Sequence, residues 1–211
     1  GKSEFHNDSG PISVANKRIN LKMLDEFQNA AEEHGIPKTN DFNTGNNHGV
    51  GFFQFTTSFN QIGLKLRCSA AKGYLNPVKK RSNLKILVNA HVQKINFEGK
   101  KAIGVNYYIK DKLHSVKVNN EIILSAGSIG SPHILQVSGI GDGNKLNKYG
   151  IKIIQDSKGV GKNLQDHLMF RPVYKVKNLK SLNGNINSLF GNLLIGLEYI
   201  FNQSGPMTMG A

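Results

Sequence analysis

Hydrophobic and polar positions alternate most regularly in the middle of the chain. The alternation runs from His91 to Phe97 and again from Ala102 to Ile109, on either side of a short turn that contains Gly99. A period of two residues is typical of a strand with one buried face, and a glycine between two such strands favours a hairpin. Val116 to Val118 continues the pattern. We therefore predict a β-meander in this region.

Two further segments are apolar without alternation. They are Leu84 to Val88 and Glu121 to Ala126. Both runs predict strands, and the second, Glu121 to Ala126, predicts a buried strand. The second run leads into Gly127 and then into a helix predicted over Ser131 to Val137, with Pro132 in the first turn, where proline is tolerated. The sequence thus predicts a strand, a glycine turn and a helix in succession.

Helical spacing appears in the first quarter of the chain. Leu24, Phe27 and Ala31 form an apolar stripe with the periodicity of a helix. Asn20 is a residue type that caps helix starts, and Gly35 is one that ends helices. We predict a helix from Asn20 to about His34.

The remaining elements are predicted from shorter patterns. Leu189 to Phe201 predicts a helix and Lys145 to Tyr149 a short one, while residues 68–80 predict a short helix or turn. Alternation over Gly51 to Thr57 and over residues 168–177 predicts two more strands.

The composition is that of a globular protein. The 211 residues are 38% hydrophobic and 19% charged, which suits one large domain or parts of two. No stretch approaches the roughly 20 apolar residues that a bilayer-spanning helix needs. The chain starts without a methionine and stops after an apolar run, so we predict that it is an internal piece of a longer protein.

A net charge of +13 raises the question of a nucleic-acid partner. The basic residues are spread along the chain, and the longest run, Lys79 to Arg81, has no aromatic residues among its members. We predict no nucleic-acid binding. A single cysteine, Cys68, excludes a disulfide framework, and the histidine spacings indicate no metal site.

The segment with the clearest chemical meaning is the predicted strand–turn–helix unit. Ala126, Gly127 and Ser128 precede or begin the helix, where backbone N–H groups have no partner within the helix. Such an end attracts anions, a pyrophosphate among them. Glycine–serine turns before helices are common, so this pattern alone is a modest indication of cofactor contact.

Several segments resemble one enzyme family, in the family's order along the chain. The segment Gly127 to Gly141, with its Ser-Pro pair and closing Ser-Gly-Ile-Gly, is similar to the second signature of the glucose–methanol–choline (GMC) oxidoreductases. Gly159 to Leu168 looks like the family's Gly-Val-Gly-x-Asn-Leu-x-Asp-His run. Shorter similarities are found in Gly10 to Val14, Arg67 to Leu75 and Phe97 to Val105. The bacterial choline-dehydrogenase-like members resemble the chain most.

The resemblance implies an α/β fold, in part α+β, with a section of an FAD-binding domain and parts of an antiparallel-sheet substrate domain. It implies that residues 68–142 belong to the FAD-binding domain and that residues 1–67 and 143–211 belong to the substrate domain. FAD would accept a hydride from the CH–OH group of an alcohol. The residues implied near the cofactor are Val92, Ala126, Gly127, Ser128, Asn163, Asp166 and His167.

Simpler roles are also open for some of these residues. Val92 suits a core strand position, and Asp166 with His167 suits a local structural turn. His167 is not expected to be the catalytic base, because the family places that base elsewhere.

The chain departs from the family in four respects. Asp142 stands where a proline is usual, which would loosen the turn, and the loop Gln61 to Leu66 looks longer. The Gly-x-Gly-x-x-Gly turn that grips FAD is absent, and the family's active-site histidine would lie beyond Ala211. We therefore expect no catalytic residue within these 211 residues. A non-catalytic remnant or binding module of the same fold is the alternative.

The resemblance also implies a small-molecule alcohol as substrate. It leaves the identity of that alcohol, the electron acceptor (a quinone, another carrier or oxygen) and the oligomeric state open. A cytoplasmic location is expected, with association to a membrane left open.

Overall fold

In the computed structural model the described residues are 2–59, 65–179 and 181–208. The chain divides into two compact units. One comprises residues up to Lys85 together with those from Val173, and the other runs from Ile86 to Pro172. Each unit is considered by itself below.

Helices and short strands make up both units. In chain order they are β1 Ser13–Ala15, α1 Lys22–Glu33, β2 Phe55–Phe59, β3 Lys65–Arg67, a π-helical turn Ala71–Leu75, α2 Asn76–Val78, β4 His91–Glu98, β5 Lys101–Ile109, β6 Lys112–Lys117, α3 Gly127–Val137, β7 Ile140–Gly141, α4 Gly143–Lys148, β8 Gln155–Asp156, α5 Asn183–Ile186, α6 Leu189–Asn202 and a 3₁₀ turn Pro206–Thr208. None of the helices among the described residues has the length and apolar character needed to cross a membrane.

The predicted β-meander is confirmed. Strands β4, β5 and β6 form an antiparallel sheet in that order. Val105 in the central strand pairs with Ile95 on one side and Val116 on the other. Ile95 is one of the few buried apolar residues of the described chain, at 7% exposure. The alternation in the sequence therefore reports a sheet whose buried face lies over β4 and β5.

Helix α3 packs against β4 through one buried serine. Ser138 directly follows the last residue of α3. Its hydroxyl accepts a hydrogen bond from the Ile95 N–H at 2.8 Å and donates one to the Ile134 carbonyl at 2.6 Å. A buried N–H group needs a partner because burial without one costs the desolvation energy of the group. Ser138 thus joins the helix to the sheet.

The two apolar runs predicted as strands are irregular in the structure. Leu84 to Val88 and Glu121 to Ala126 have no strand pairing among the described residues. Val88 is 72% exposed and Ile123 is 79% exposed. A strand exists only when a neighbour accepts and donates its backbone hydrogen bonds. Both strand predictions are therefore wrong for this chain, because no described segment lies beside either run to pair with it.

The predicted N-terminal helix is present but begins one residue later than a cap at Asn20 implies. Helix α1 starts at Lys22 after Leu21, and no side chain caps it, so the assignment of Asn20 as the cap is wrong. A backbone bond from the Leu24 N–H to the Leu21 carbonyl closes the first turn instead. The predicted end at Gly35 is confirmed, because Gly35 has a φ of +83°.

Other elements match the predictions from the sequence less closely. The strand predicted at Gly51 to Thr57 occurs as β2, shifted toward the C-terminus, and it pairs with β1 and β3. Residues 168–177 form no strand, since no described segment pairs with them and Leu168 and Val173 are almost fully exposed. Much of the loop Gln61 to Leu66 lies outside the described residues.

We expect the substitution Ser138→Ala to lower the free energy of unfolding by about 1–3 kcal/mol, because it leaves the buried Ile95 N–H without a partner. Ser115→Ala on the exposed strand β6 is the control and should change stability by less than about 0.5 kcal/mol. Urea denaturation of the two variants measures both values. Equal stabilities would show that Ser138 does not join α3 to the sheet.

Candidate functional site

An open cleft of about 620 Å³ lies beside helix α3, within the unit formed by residues 86–172. One wall comes from α3 and the other from the segment after β8. The lining residues are Ser128, Ile129, Pro132, His133, Gln136, Lys145, Gly161, Lys162, Asn163, Leu164 and Gln165. The cleft thus joins the two longest family-like segments of the sequence.

The α3 wall begins at a tight backbone turn. Gly127 is the first helical residue and has a φ of +83°, a conformation that favours glycine. The Ala126 N–H donates to the Ser131 hydroxyl at 3.0 Å, which folds the chain onto the first turn of the helix. Ala126, Gly127 and Ser128 are all exposed, so the amino end of α3 is accessible to a ligand.

The opposite wall is a compact glycine loop. Its turn is closed by bonds from the Val160 N–H to the Ser157 carbonyl and from the Lys162 N–H to the Gly159 carbonyl, both 3.1 Å. Asn163 has a φ of +56°, in the left-handed region that asparagine tolerates better than most residues. This reversal follows directly after the closed turn and leads into the residues at the edge of the cleft.

A single side chain bridges the two walls. The Gln136 side chain extends from α3 and donates its Nε2 hydrogen to the Val160 carbonyl at 3.1 Å. Its amide lies so close to Gly161 that a β-carbon there would be 2.6 Å from Nε2. The loop and the helix are therefore held at a fixed spacing.

The lining of the cleft is basic. Lys145, Lys162 and His133 contribute to it, and among the described residues no carboxylate does. Asp142 lies beside the cleft, and its Oδ2 is 3.8 Å from the Lys162 ammonium nitrogen. This charge distribution favours a ligand that carries negative charge.

Asp142 has a structural role that the sequence does not reveal. It is the N-cap of α4, and its Oδ1 accepts from the backbone N–H groups of Asn144 and Lys145. The Gly143 N–H donates to Asp156, which closes the same turn from the other side. The turn that a proline usually occupies in the family is thus kept by hydrogen bonds to two carboxylates.

The structure brings some of the predicted cofactor residues together. Ser128 and Asn163 both line the cleft, and Ala126 and Gly127 directly precede Ser128. Val92 is half-buried in β4 and does not line it.

Asp166 and His167 lie outside the lining and are exposed. Asp166 accepts a hydrogen bond from the His167 N–H at 2.8 Å, a contact between neighbouring residues. Neither residue is part of a turn. Sequence reasoning missed His133, Gln136, Lys145 and Lys162, since their part in the cleft depends on the return of the chain after β8.

A second cleft, of about 850 Å³, lies in the other unit near the N-terminus. His6 Nε2 and Asp41 Oδ2 are 2.6 Å apart at its edge. The backbone hydrogen bond from Asn43 and the neighbouring His6 lower the pKa of the Asp41 carboxyl. Among the described residues, no group of three or more histidine, cysteine or acidic side chains is arranged to hold a metal ion.

Comparison with known families gives a match that spans most of the chain. Residues 3–169 match the family model described as GMC oxidoreductase. The chain belongs to the GMC oxidoreductase family. The matched range contains both walls of the cleft beside α3.

Individual relatives are similar over nearly the whole chain. An oxygen-dependent choline dehydrogenase of Acinetobacter baumannii is 39% identical over 209 residues, covering 97% of this chain and 37% of the relative. A protein of the same name from Chromohalobacter salexigens is 38% identical over 206 residues, covering 97% of this chain and 36% of the relative. The chain thus spans little more than a third of the length of these curated relatives.

Solved structures give the same picture. An FAD-dependent oxidoreductase from Chaetomium thermophilum is 30% identical and superimposes with a TM-score of 0.80, covering 95% of this chain and 34% of that one. A fold of mixed helix and sheet, forming part of a GMC oxidoreductase, is therefore confirmed.

We expect Asp142→Ala to lower the free energy of unfolding by about 1 kcal/mol, the usual effect of losing an N-cap. Lys162→Met keeps the cap and removes only the exposed ion pair, which is worth about 0–1 kcal/mol. Thermal denaturation of the two variants compares them. If Lys162→Met proved the more destabilising, the ion pair and not the cap would be the main contribution of Asp142.

Proposed function

We propose that this chain is part of an FAD-dependent oxidoreductase that oxidises the CH–OH group of a small alcohol. The observation that supports the proposal best is the cleft beside α3, where Ser128 and Asn163, from two separate family-like segments, line one space. The names of the relatives, which are choline dehydrogenases and an FAD-dependent oxidoreductase, agree with it.

The residues of the cleft are compatible with a dinucleotide cofactor. Its lining includes two lysines and no carboxylate among the described residues, which suits the diphosphate of FAD. The exposed first turn of α3 adds backbone N–H groups that favour the same charge. In this proposal Ala126, Gly127 and Ser128 contact the ADP part, and Val92 contributes its backbone at the adenine edge.

The role of this chain in the reaction would be to bind FAD and to orient it. FAD, when bound, supplies the hydride acceptor. The glycine loop would fix Asn163 next to the cofactor, with Asp166 and His167 at the boundary with the substrate domain. We assign no catalytic residue to the chain. The proposed proton acceptor is a histidine in a part of the family's sequence that these 211 residues do not include.

Choline or a similar alcohol is the substrate class we propose, with molecular oxygen as one acceptor and a quinone or another carrier as the alternatives. The basis is the name of the relatives, oxygen-dependent choline dehydrogenase, at 36–39% identity. We keep the proposed division into a cofactor part at residues 68–142 and substrate parts on either side.

A non-catalytic remnant or binding module remains the second candidate. The observation in its favour is that Val88 and Ile123 stand exposed in runs with strand composition and have no strand partner among the described residues. If a longer protein supplies the partner, these runs become strands of the cofactor domain. If none exists, the chain cannot complete that domain.

The test begins with the source DNA on both sides of the coding segment. We expect a reading frame that encodes a glycine-rich βαβ unit upstream and a histidine-bearing segment downstream. The protein made from that frame should carry FAD, and choline or a related alcohol should bleach the visible absorption of the oxidised flavin without air. Stop codons on both sides would contradict the catalytic proposal and favour the remnant.

The isolated 211 residues should not retain FAD. They lack the glycine-rich turn through which this family mainly binds FAD. The purified chain should therefore show little flavin absorption relative to its protein absorption. Absorption spectroscopy after gel filtration measures the ratio. Flavin at near one-to-one stoichiometry would show that the cleft beside α3 binds the cofactor without the rest of the domain.

A further inference from the structure

The Gln136 side chain lies between two glycines, Gly141 of β7 and Gly161 of the glycine loop. Its Cγ would lie 3.2 Å from a β-carbon at Gly141, and its Nε2 would lie 2.6 Å from a β-carbon at Gly161. Both glycines therefore leave space for the same side chain. Gly141 belongs to β7, which follows α3, and Gly161 belongs to the loop that forms the other wall of the cleft.

The hydrogen bond of Gln136 makes this packing directional. Nε2 donates to the Val160 carbonyl at 3.1 Å, across 24 residues of sequence. The turn that carries this carbonyl is closed by the Val160 N–H, which donates to the Ser157 carbonyl, and by the Lys162 N–H, which donates to the Gly159 carbonyl. A methionine at this position would fill much of the same space but could not donate, so the hydrogen bond can be separated from the packing.

The second anchor of the loop is weaker. Lys162 faces Asp142 at 3.8 Å, and its side chain is 57% exposed, so solvent screens this ion pair. The start of the loop is also held by the Ser157 N–H, which donates to the Gly141 carbonyl in β7 at 2.7 Å. Gln136 holds the middle of the loop directly to α3. Asn163 follows the loop directly and shares the cleft with Ser128.

We propose that Gln136 is a positioning residue of the cofactor cleft, which holds the glycine loop so that Asn163 faces Ser128 and on which the affinity of the cleft for FAD depends. This inference rests on the proposed function. Gln136 acts through the loop and is not assigned a contact with the ligand.

The test uses the whole 211-residue chain labelled with ¹⁵N, with FAD itself as the probe. Two quantities are measured by NMR: the hydrogen-exchange rates of the Val160 and Lys162 amides, and the dissociation constant of FAD from the shifts of amides in the cleft. Weak binding suffices for this measurement, since fast exchange reports constants in the millimolar range as readily as tighter ones.

Gln136→Met should raise both exchange rates about fivefold and weaken FAD binding by about the same factor, the effect of one neutral hydrogen bond. Gln93→Met is the matched control. Gln93 Nε2 donates to the Tyr108 hydroxyl at 3.3 Å in the meander, so this variant loses a similar bond away from the cleft. This control should change neither the exchange rates of the Val160 and Lys162 amides nor the dissociation constant of FAD.

A second pair of variants approaches the same contact from the loop. Gly161→Ala places a β-carbon against the Gln136 amide at a φ of +76° and should reproduce both effects. Gly159→Ala is its control, because a β-carbon there meets no atom within 4 Å. The pair keeps the inference testable if Gln136→Met perturbs the folding of α3.

Three results would overturn the inference. Unchanged exchange at Val160 and Lys162 in Gln136→Met would show that the bond does not hold the loop. Raised exchange with FAD affinity within twofold of the unsubstituted chain would show that the loop positions nothing for the cofactor. If FAD shifts no amide of the cleft in the unsubstituted chain, the proposed cofactor site itself fails, and Gln136 then has no such site to position.

Discussion

The hydrogen bond from Gln136 to Val160 is the interaction on which the candidate site depends. It joins a helix to a loop that returns to it more than twenty residues later, and Gly141 and Gly161 on either side leave room for this one side chain. Close packing of this kind fixes a spacing, because a well-packed interior has few alternative arrangements. The two family-like segments are thus one physical unit, although they are separate in the sequence.

The same unit is anchored to the meander at the carboxyl end of α3, two residues after Gln136. Ser138 provides that link, and its hydroxyl satisfies a backbone N–H of the sheet. The helix therefore transmits the geometry of β4 to the wall of the cleft. A site built on a helix that is held by such contacts is more exact than one built on loops alone.

Local patterns predicted the parts of the fold whose partners lie nearby in the sequence. The meander and the helices α1, α3 and α6 follow from periodicity, since each strand of the meander pairs with its neighbour. Leu84 to Val88 and Glu121 to Ala126 failed because a buried strand requires a partner that local sequence cannot supply. In the cleft, Ser128 and Asn163 could be predicted from resemblance, whereas Gln136 and Lys145 could not, because their role arises only where the chain folds back.

The two unpaired apolar runs, Leu84 to Val88 and Glu121 to Ala126, affect how this polypeptide associates with other chains. Each presents exposed β-branched side chains and has no strand partner among the described residues, a combination that promotes intermolecular β-sheet formation. Natural sheets protect such edges with charge, proline or a covering segment, and here each run contains one charged residue, Lys85 or Glu121. These two short runs are therefore the places where this polypeptide would pair with another chain if no segment of its own covered them.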